Sequence, residues 1–122
     1  MQNDEACPHY SDIISQITQG HTYLYDRFGI RPRFGWQIDP FGHSAVTPAL
    51  FRLLGYEAAV INRIDFRLKA ALKQHGLMEF LWRGVDLGHQ ADLFTHVLHT
   101  HYSAPQVSES MLETGFKSVV AT

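Results

Sequence analysis

Four consecutive apolar residues, Ala58-Ala59-Val60-Ile61, limit what this chain can become. A strand with one wet face alternates apolar and polar side chains, whereas an unbroken apolar run of strand length implies cover on both faces. The segments around it alternate with it. Tyr10, Ile13, Ile14, Ile17, His21, Leu24, Tyr25 and Phe28 recur at the i, i+3, i+4, i+7 spacing of an amphipathic helix. Pro8 suits the first turn of that helix and Gly29 the left-handed position just past its end. Gly20 weakens it by roughly 1 kcal/mol relative to Ala.

Arg31-Pro32 stops the helix, residues 34–38 read as a short strand, and Asp39-Pro40-Phe41-Gly42 ends that strand with turn chemistry. Thr47 before Pro48 is expected to be an N-cap and first helical residue. Leu50, Phe51 and Leu54 supply the apolar face of that helix, and Gly55 closes it. A third helix is expected over about residues 65–74 and a further strand over 78–82. Helices alternating with short apolar strands argue for an α/β fold with a parallel sheet. Two or three strands would leave both edges open and one face uncovered, so the sheet is expected to be incomplete by itself.

Composition narrows the function classes. With 45% hydrophobic and 18% charged residues the 122-residue chain can bury a core. A net charge of -2 gives no basic footprint for nucleic acid, and no run of about 18 apolar residues offers a membrane span. Cys7 stands alone, which excludes an internal disulfide and a multi-cysteine zinc site. The polar, acidic start Met1-Gln2-Asn3-Asp4-Glu5 is not the pattern of a signal peptide.

Asp39 stands where parallel α/β proteins put reacting groups, at the carboxyl end of a strand and entering the loop before a helix. Asp-Pro is also a common turn starter, but Trp36, Phe41 and His43 crowd the same few positions, and aromatic faces suit the apolar side of a sugar ring. Glycoside hydrolysis needs a second carboxyl group, roughly 5 Å from the first in retaining enzymes.

Trp36-Gln37-Ile38-Asp39-Pro40-Phe41-Gly42-His43-Ser44 resembles the nucleophile motif of the class II α-mannosidases, glycoside hydrolase family 38, most of all its lysosomal-type branch. Flanking pieces agree in order: Asn3-Asp4-Glu5-Ala6 with His9-Tyr10, Arg31-Pro32-Arg33, Arg63-Ile64-Asp65-Phe66 and Ala91-Asp92-Leu93-Phe94-Thr95. The resemblance implies a fragment of a partial parallel (β/α) barrel of the glycoside hydrolase/deacetylase type, with several strands missing. It covers residues 1–105 and leaves 106–122 as a divergent tail. It implies zinc-dependent retaining hydrolysis of terminal α-linked mannose from glycans, with Asp39 as both nucleophile and zinc ligand. Phe41 would line the mannose subsite, Arg63 would hold Asp39 charged and oriented, and Tyr102 would contact substrate. Two of them have a plainer alternative: for Arg63 a solvated strand end, for Tyr102 packing.

The resemblance also implies what is missing. The family's zinc site takes a His-x-Asp pair ahead of this region and a histidine far behind it, and its acid/base aspartate lies downstream. The isolated chain is therefore expected to be inactive, with the remainder of the catalytic domain as its partner. The lysosome or secretory route is the implied address. Asn62 replaces a usual glycine, and Arg67-Leu68-Lys69-Ala70-Ala71-Leu72-Lys73 departs from the charged and polar residues usual there. His43 is expected to be structural, hydrogen-bonded beneath the loop. His96 and His99 would share a face if that stretch were helical, and Trp36 and Trp82 are expected in the core. The competing readings are a non-catalytic truncated binding module and another metal-dependent carbohydrate hydrolase such as a deacetylase.

Overall fold

A computed structural model describes residues 3–4, 7–85 and 87–101. The amphipathic stripe forms helix α1, Tyr10–Phe28, closed by Gly29 in the left-handed region at φ 66. Strand β1, Phe34–Gln37, leads through the Asp39 loop into α2, Thr47–Leu53. Val46 takes the N-cap position of α2 and makes no side-chain cap bond, so Thr47 is the first helical residue and not the expected cap. The loop is braced instead by Ser44, whose Oγ accepts from the Val46 amide and whose carbonyl accepts from the Thr47 amide. Strand β2, Ala58–Ile61, follows, then α3, Phe66–His75, capped by the Asp65 carboxylate, which accepts from the Arg67 and Leu68 amides. Strands β3, Glu79–Trp82, and β4, Leu93–Val97, complete the described elements, with a single 3-10 turn at His89–Ala91 between them.

The sheet runs β1-β2-β4-β3. Strands β1, β2 and β4 are parallel, with Gln37, Ile61 and Val97 in register, whereas β3 pairs antiparallel with β4. The expected all-parallel sheet is corrected by that last strand. The reason is local. Ten residues join β3 to β4 without a crossover helix, and a parallel partner usually needs one. Strand β4 also corrects the helical option for His96 and His99. His96 lies in the strand and donates through Nδ1 to Glu79 across the β3–β4 pair, at 2.6 Å.

One face of the sheet carries the core. Ala59 and Leu93 pack with Ile13 and Ile17 of α1 and Phe51 of α2, while Ile61 and Val97 pack with Met78 and with Leu72 of α3. Gly35 is required there, because a Cβ would meet the Phe51 ring at 2.7 Å. The opposite face is open. Phe34, Ala58, Phe94 and Leu81 form one cross-strand row, with Phe34 64%, Leu81 66% and Phe94 47% exposed. Trp36, expected in the core, stands 52% exposed in the next row. Trp82 projects to the helix side, packs beside Phe80 against the second cluster and meets the His43 ring edge-on. Burying large apolar side chains such as these contributes about 2 kcal/mol each, so the open face withholds a sum comparable with the ~5–15 kcal/mol that hold a whole domain together.

Candidate active site

Three loops leave the carboxyl ends of the parallel strands side by side. Asp39 is two residues beyond Gln37, Arg63 two beyond Ile61, and His99 two beyond Val97, and those three strand residues are paired in register. Parallel α/β sheets gather ligand-binding groups at this end.

Arg63 reaches across to Asp39. Its Nε donates at 3.2 Å and its Nη2 at 2.7 Å, both to Oδ1. The Arg63 side chain is 28% exposed and that of Asp39 57%. The guanidinium also lies over the Phe41 ring, 4.2 Å from its centroid. Asp39, Phe41 and Arg63, singled out separately in the sequence, thus form one cluster. Because both bonds end on Oδ1, the second carboxylate oxygen is left for another partner. A recess of 160 Å³ opens beside Asp39, lined also by Asn3, Asp4, Pro40 and Phe41. Tyr102 lies outside the described residues.

The loop is held from beneath. His43 donates through Nε2 to the Arg63 carbonyl at 2.9 Å, which fixes the tautomer with the proton on that nitrogen. Behind it the backbone of Ala45 sits so close to Gly84 that a Cβ there would lie 1.7 Å from the Ala45 oxygen. Buried Gln37, at the end of β1, donates to Asn3 at both its carbonyl (3.2 Å) and Oδ1 (2.9 Å), tying the amino-terminal segment to the strand that presents Asp39. Asn3 was legible only as part of a matching flank; its bond to Gln37 joins residues 34 apart in sequence, which spacing does not reveal.

A larger cleft of 710 Å³ lies on the other side of Arg63, lined in part by Phe41, His43, Asn62, Phe66, Lys69 and Thr100. Lys69 belongs to the run 67–73 that departs from the family pattern, yet its ammonium donates to the Asn62 carbonyl and Asn62 Oδ1, both at 3.1 Å, and to the Thr100 carbonyl at 2.8 Å. Burial, helped by the nearby Lys73 charge, lowers the Lys69 pKa from its ordinary value.

Further from the cluster, Arg83 grips Asp92 with Nε at 2.7 Å and Nη2 at 2.6 Å, and His89 donates through Nδ1 to the same carboxylate at 3.3 Å. Arg83 first, with His89 adding, holds the Asp92 carboxyl down at about 2. This latch closes the β3–β4 connection and is remote from Asp39 in the sheet order.

Among the described residues no three or more His, Cys, Asp or Glu side chains converge. Asp39 could give a metal its second oxygen, but one carboxylate does not make a four-ligand zinc site. Nor is any described helix long and apolar enough to cross a membrane.

Across residues 1–122 the chain matches the family described as glycosyl hydrolases family 38 N-terminal domain. Alpha-mannosidase C of Dictyostelium discoideum is 44% identical over 120 residues, covering 88% of this chain and 11% of that protein. The human epididymis-specific alpha-mannosidase is 43% identical over 118 residues, covering 95% and 12%. The Dictyostelium lysosomal alpha-mannosidase is 43% identical over 103 residues, covering 84% and 10%. The chain therefore spans about a tenth of the length of these relatives.

Proposed function

The chain belongs to glycosyl hydrolase family 38, and from that membership we propose that it is a segment of an α-mannosidase catalytic domain that presents the nucleophile. The observation that carries the reading is the Asp39–Arg63–Phe41 cluster at the carboxyl end of the sheet. A carboxylate oriented by a fixed guanidinium stays ionised and aims one lone pair outward. An aromatic ring beside it can take the apolar face of a sugar.

Asp39 attacks the anomeric carbon of a terminal α-linked mannose as the glycosidic bond breaks. A second carboxyl group protonates the departing oxygen, and water then releases the sugar with retained configuration. Phe41 and Arg63 border the mannose, and Tyr102 contacts it from the segment after β4. The second carboxyl is supplied by another part of the domain, so this segment alone does not turn over substrate. Zinc belongs to the same proposal: Asp39 is one ligand, and other segments supply the rest. The remainder of the domain, a (β/α) barrel, covers the open sheet face of Phe34, Trp36, Leu81 and Phe94. A lysosomal-type branch and a secretory-route address are the finer readings that go with the Dictyostelium lysosomal relative.

The test is a chimera in which this chain replaces the matching segment of the human epididymis-specific alpha-mannosidase. Hydrolysis of an aryl α-mannoside is expected, and Asp39→Asn is expected to abolish it. A chimera that binds mannose but turns over equally well with Asp39→Asn would refute the assignment.

A further inference from the structure

We propose that Lys69 is a positioning residue for Arg63, acting through the peptide units on either side of the arginine. The proposal rests on the reading of Asp39 and Arg63 as substrate-facing groups.

A peptide unit is a rigid plane, so its orientation is fixed once its carbonyl is held. The plane before the Arg63 Cα carries the Asn62 carbonyl, which accepts from Lys69 Nζ at 3.1 Å. The plane after it carries the Arg63 carbonyl, which accepts from His43 Nε2 at 2.9 Å. With both planes held, the backbone torsions of Arg63 are set, and its side chain is directed toward Asp39 and Phe41.

Lys69 does more than hold one carbonyl. Asn62 is 2% exposed, and its Oδ1 also accepts from the same ammonium at 3.1 Å. Thr100, three residues past the end of β4, gives the third acceptor at 2.8 Å. One cation thus joins the ends of two neighbouring parallel strands, and its three donors are matched by three acceptors. The amine is delivered by helix geometry. Lys69 lies in the first turn of α3, and Asp65 caps that helix with its carboxylate. The chain from Asn62 to Lys69 is therefore a closed loop with Arg63 inside it.

The three bonds of the Lys69 ammonium go to Asn62 and Thr100, so its effect on the site is through the backbone. A residue that served stability alone would leave the Arg63 side chain as it is. The readout is therefore the Arg63 side chain itself, seen as the Nε–Hε signal of the full 122-residue chain labelled with 15N-arginine. In the unsubstituted chain that proton, bonded to Asp39, is expected to be dispersed and protected from exchange. Lys69→Met is expected to move it toward the free-arginine position and speed its exchange about tenfold, and Lys69→Arg is expected to restore most of the protection. A folded Lys69→Met chain with an unchanged Arg63 signal would overturn the proposal. Should Lys69→Met fail to fold, Lys69→Gln decides, since it removes the ammonium and leaves at most two donors for the three acceptors. A partial loss of Arg63 protection is then expected, and an unchanged signal overturns the proposal. An inactive chimera would count against the α-mannosidase reading without touching this result.

Discussion

Asp39 and Arg63 sit at matching positions beyond two paired parallel strands, and both of the guanidinium's bonds end on one carboxylate oxygen. The pair is half open to water, so its contribution to stability is small, at most about 1 kcal/mol. Its use is orientation. Arg63→Lys keeps a charge but gives up the planar fork that reaches Oδ1 twice. In the chimera the substitution is expected to lower turnover about 100-fold. The melting temperature should barely move; a fall in stability that accounts for the lost turnover would contradict this account.

The Arg83–Asp92 latch makes a pH prediction. The Asp92 carboxyl is depressed in the folded chain from 3.8 to about 2. Its contribution is therefore full above 3.8 and is lost as pH falls toward about 2. Asp92→Asn is expected to lower stability at neutral pH and to flatten the acid limb of the stability curve in that window. Urea melts at a series of pH values would show it, and an unchanged slope would remove the latch from the account.

Two glycines should respond in opposite directions to alanine. At Gly84 a Cβ would strike the Ala45 carbonyl oxygen and carbon, at 1.7 and 2.6 Å. Backbone cannot swing aside as a side chain can, so Gly84→Ala is expected to cost about 3 kcal/mol. At Gly20, within α1, nothing lies within 4 Å, and Gly20→Ala is expected to stabilise by about 1 kcal/mol. Thermal melts of the two variants check both signs.

The open sheet face predicts association. Phe34, Trp36, Leu81 and Phe94 present apolar surface between β1 and β3, the edge strands of the sheet among the described residues, a combination that invites self-pairing. The isolated chain is expected to associate with rising concentration in sedimentation experiments. A Phe34→Lys, Phe94→Glu double variant should remain monomeric to about tenfold higher concentration. Monomeric behaviour of the unsubstituted chain at high concentration would contradict this.

The elements with strong local punctuation were legible in the sequence. The stripe from Tyr10 to Phe28 and Gly29 behind it marked α1 and its end, although Pro8, expected in the first turn, lies before the His9 cap; the helix expected over about 65–74 runs 66–75, with Asp65 as its cap. Strand β4 was harder, because buried Thr95 and half-buried His96 dilute its apolar signal, although Leu93, Thr95 and Val97 alternate as a half-buried strand should. The direction of β3 depends on what it pairs with. The helix-free connection after Trp82 was the one available sign that it runs antiparallel. Trp36 shows the other limit: its size suggests burial, but burial needs a covering layer, and that layer is not among the described elements. At the site, residue identity marked Asp39, Phe41 and Arg63. The roles of Lys69 and Asn3 depend on contacts between segments distant in sequence, for which spacing carries no signal.

The most direct test of the central claim is covalent. The chimera is incubated with a fluorinated α-mannosyl fluoride that allows glycosylation and slows release, and the labelled peptide is sequenced by mass spectrometry. The account predicts a single mannosyl adduct on Asp39, in the peptide bearing Trp36 to Ser44. An adduct on any other carboxylate, with Asp39 unmodified, would contradict it.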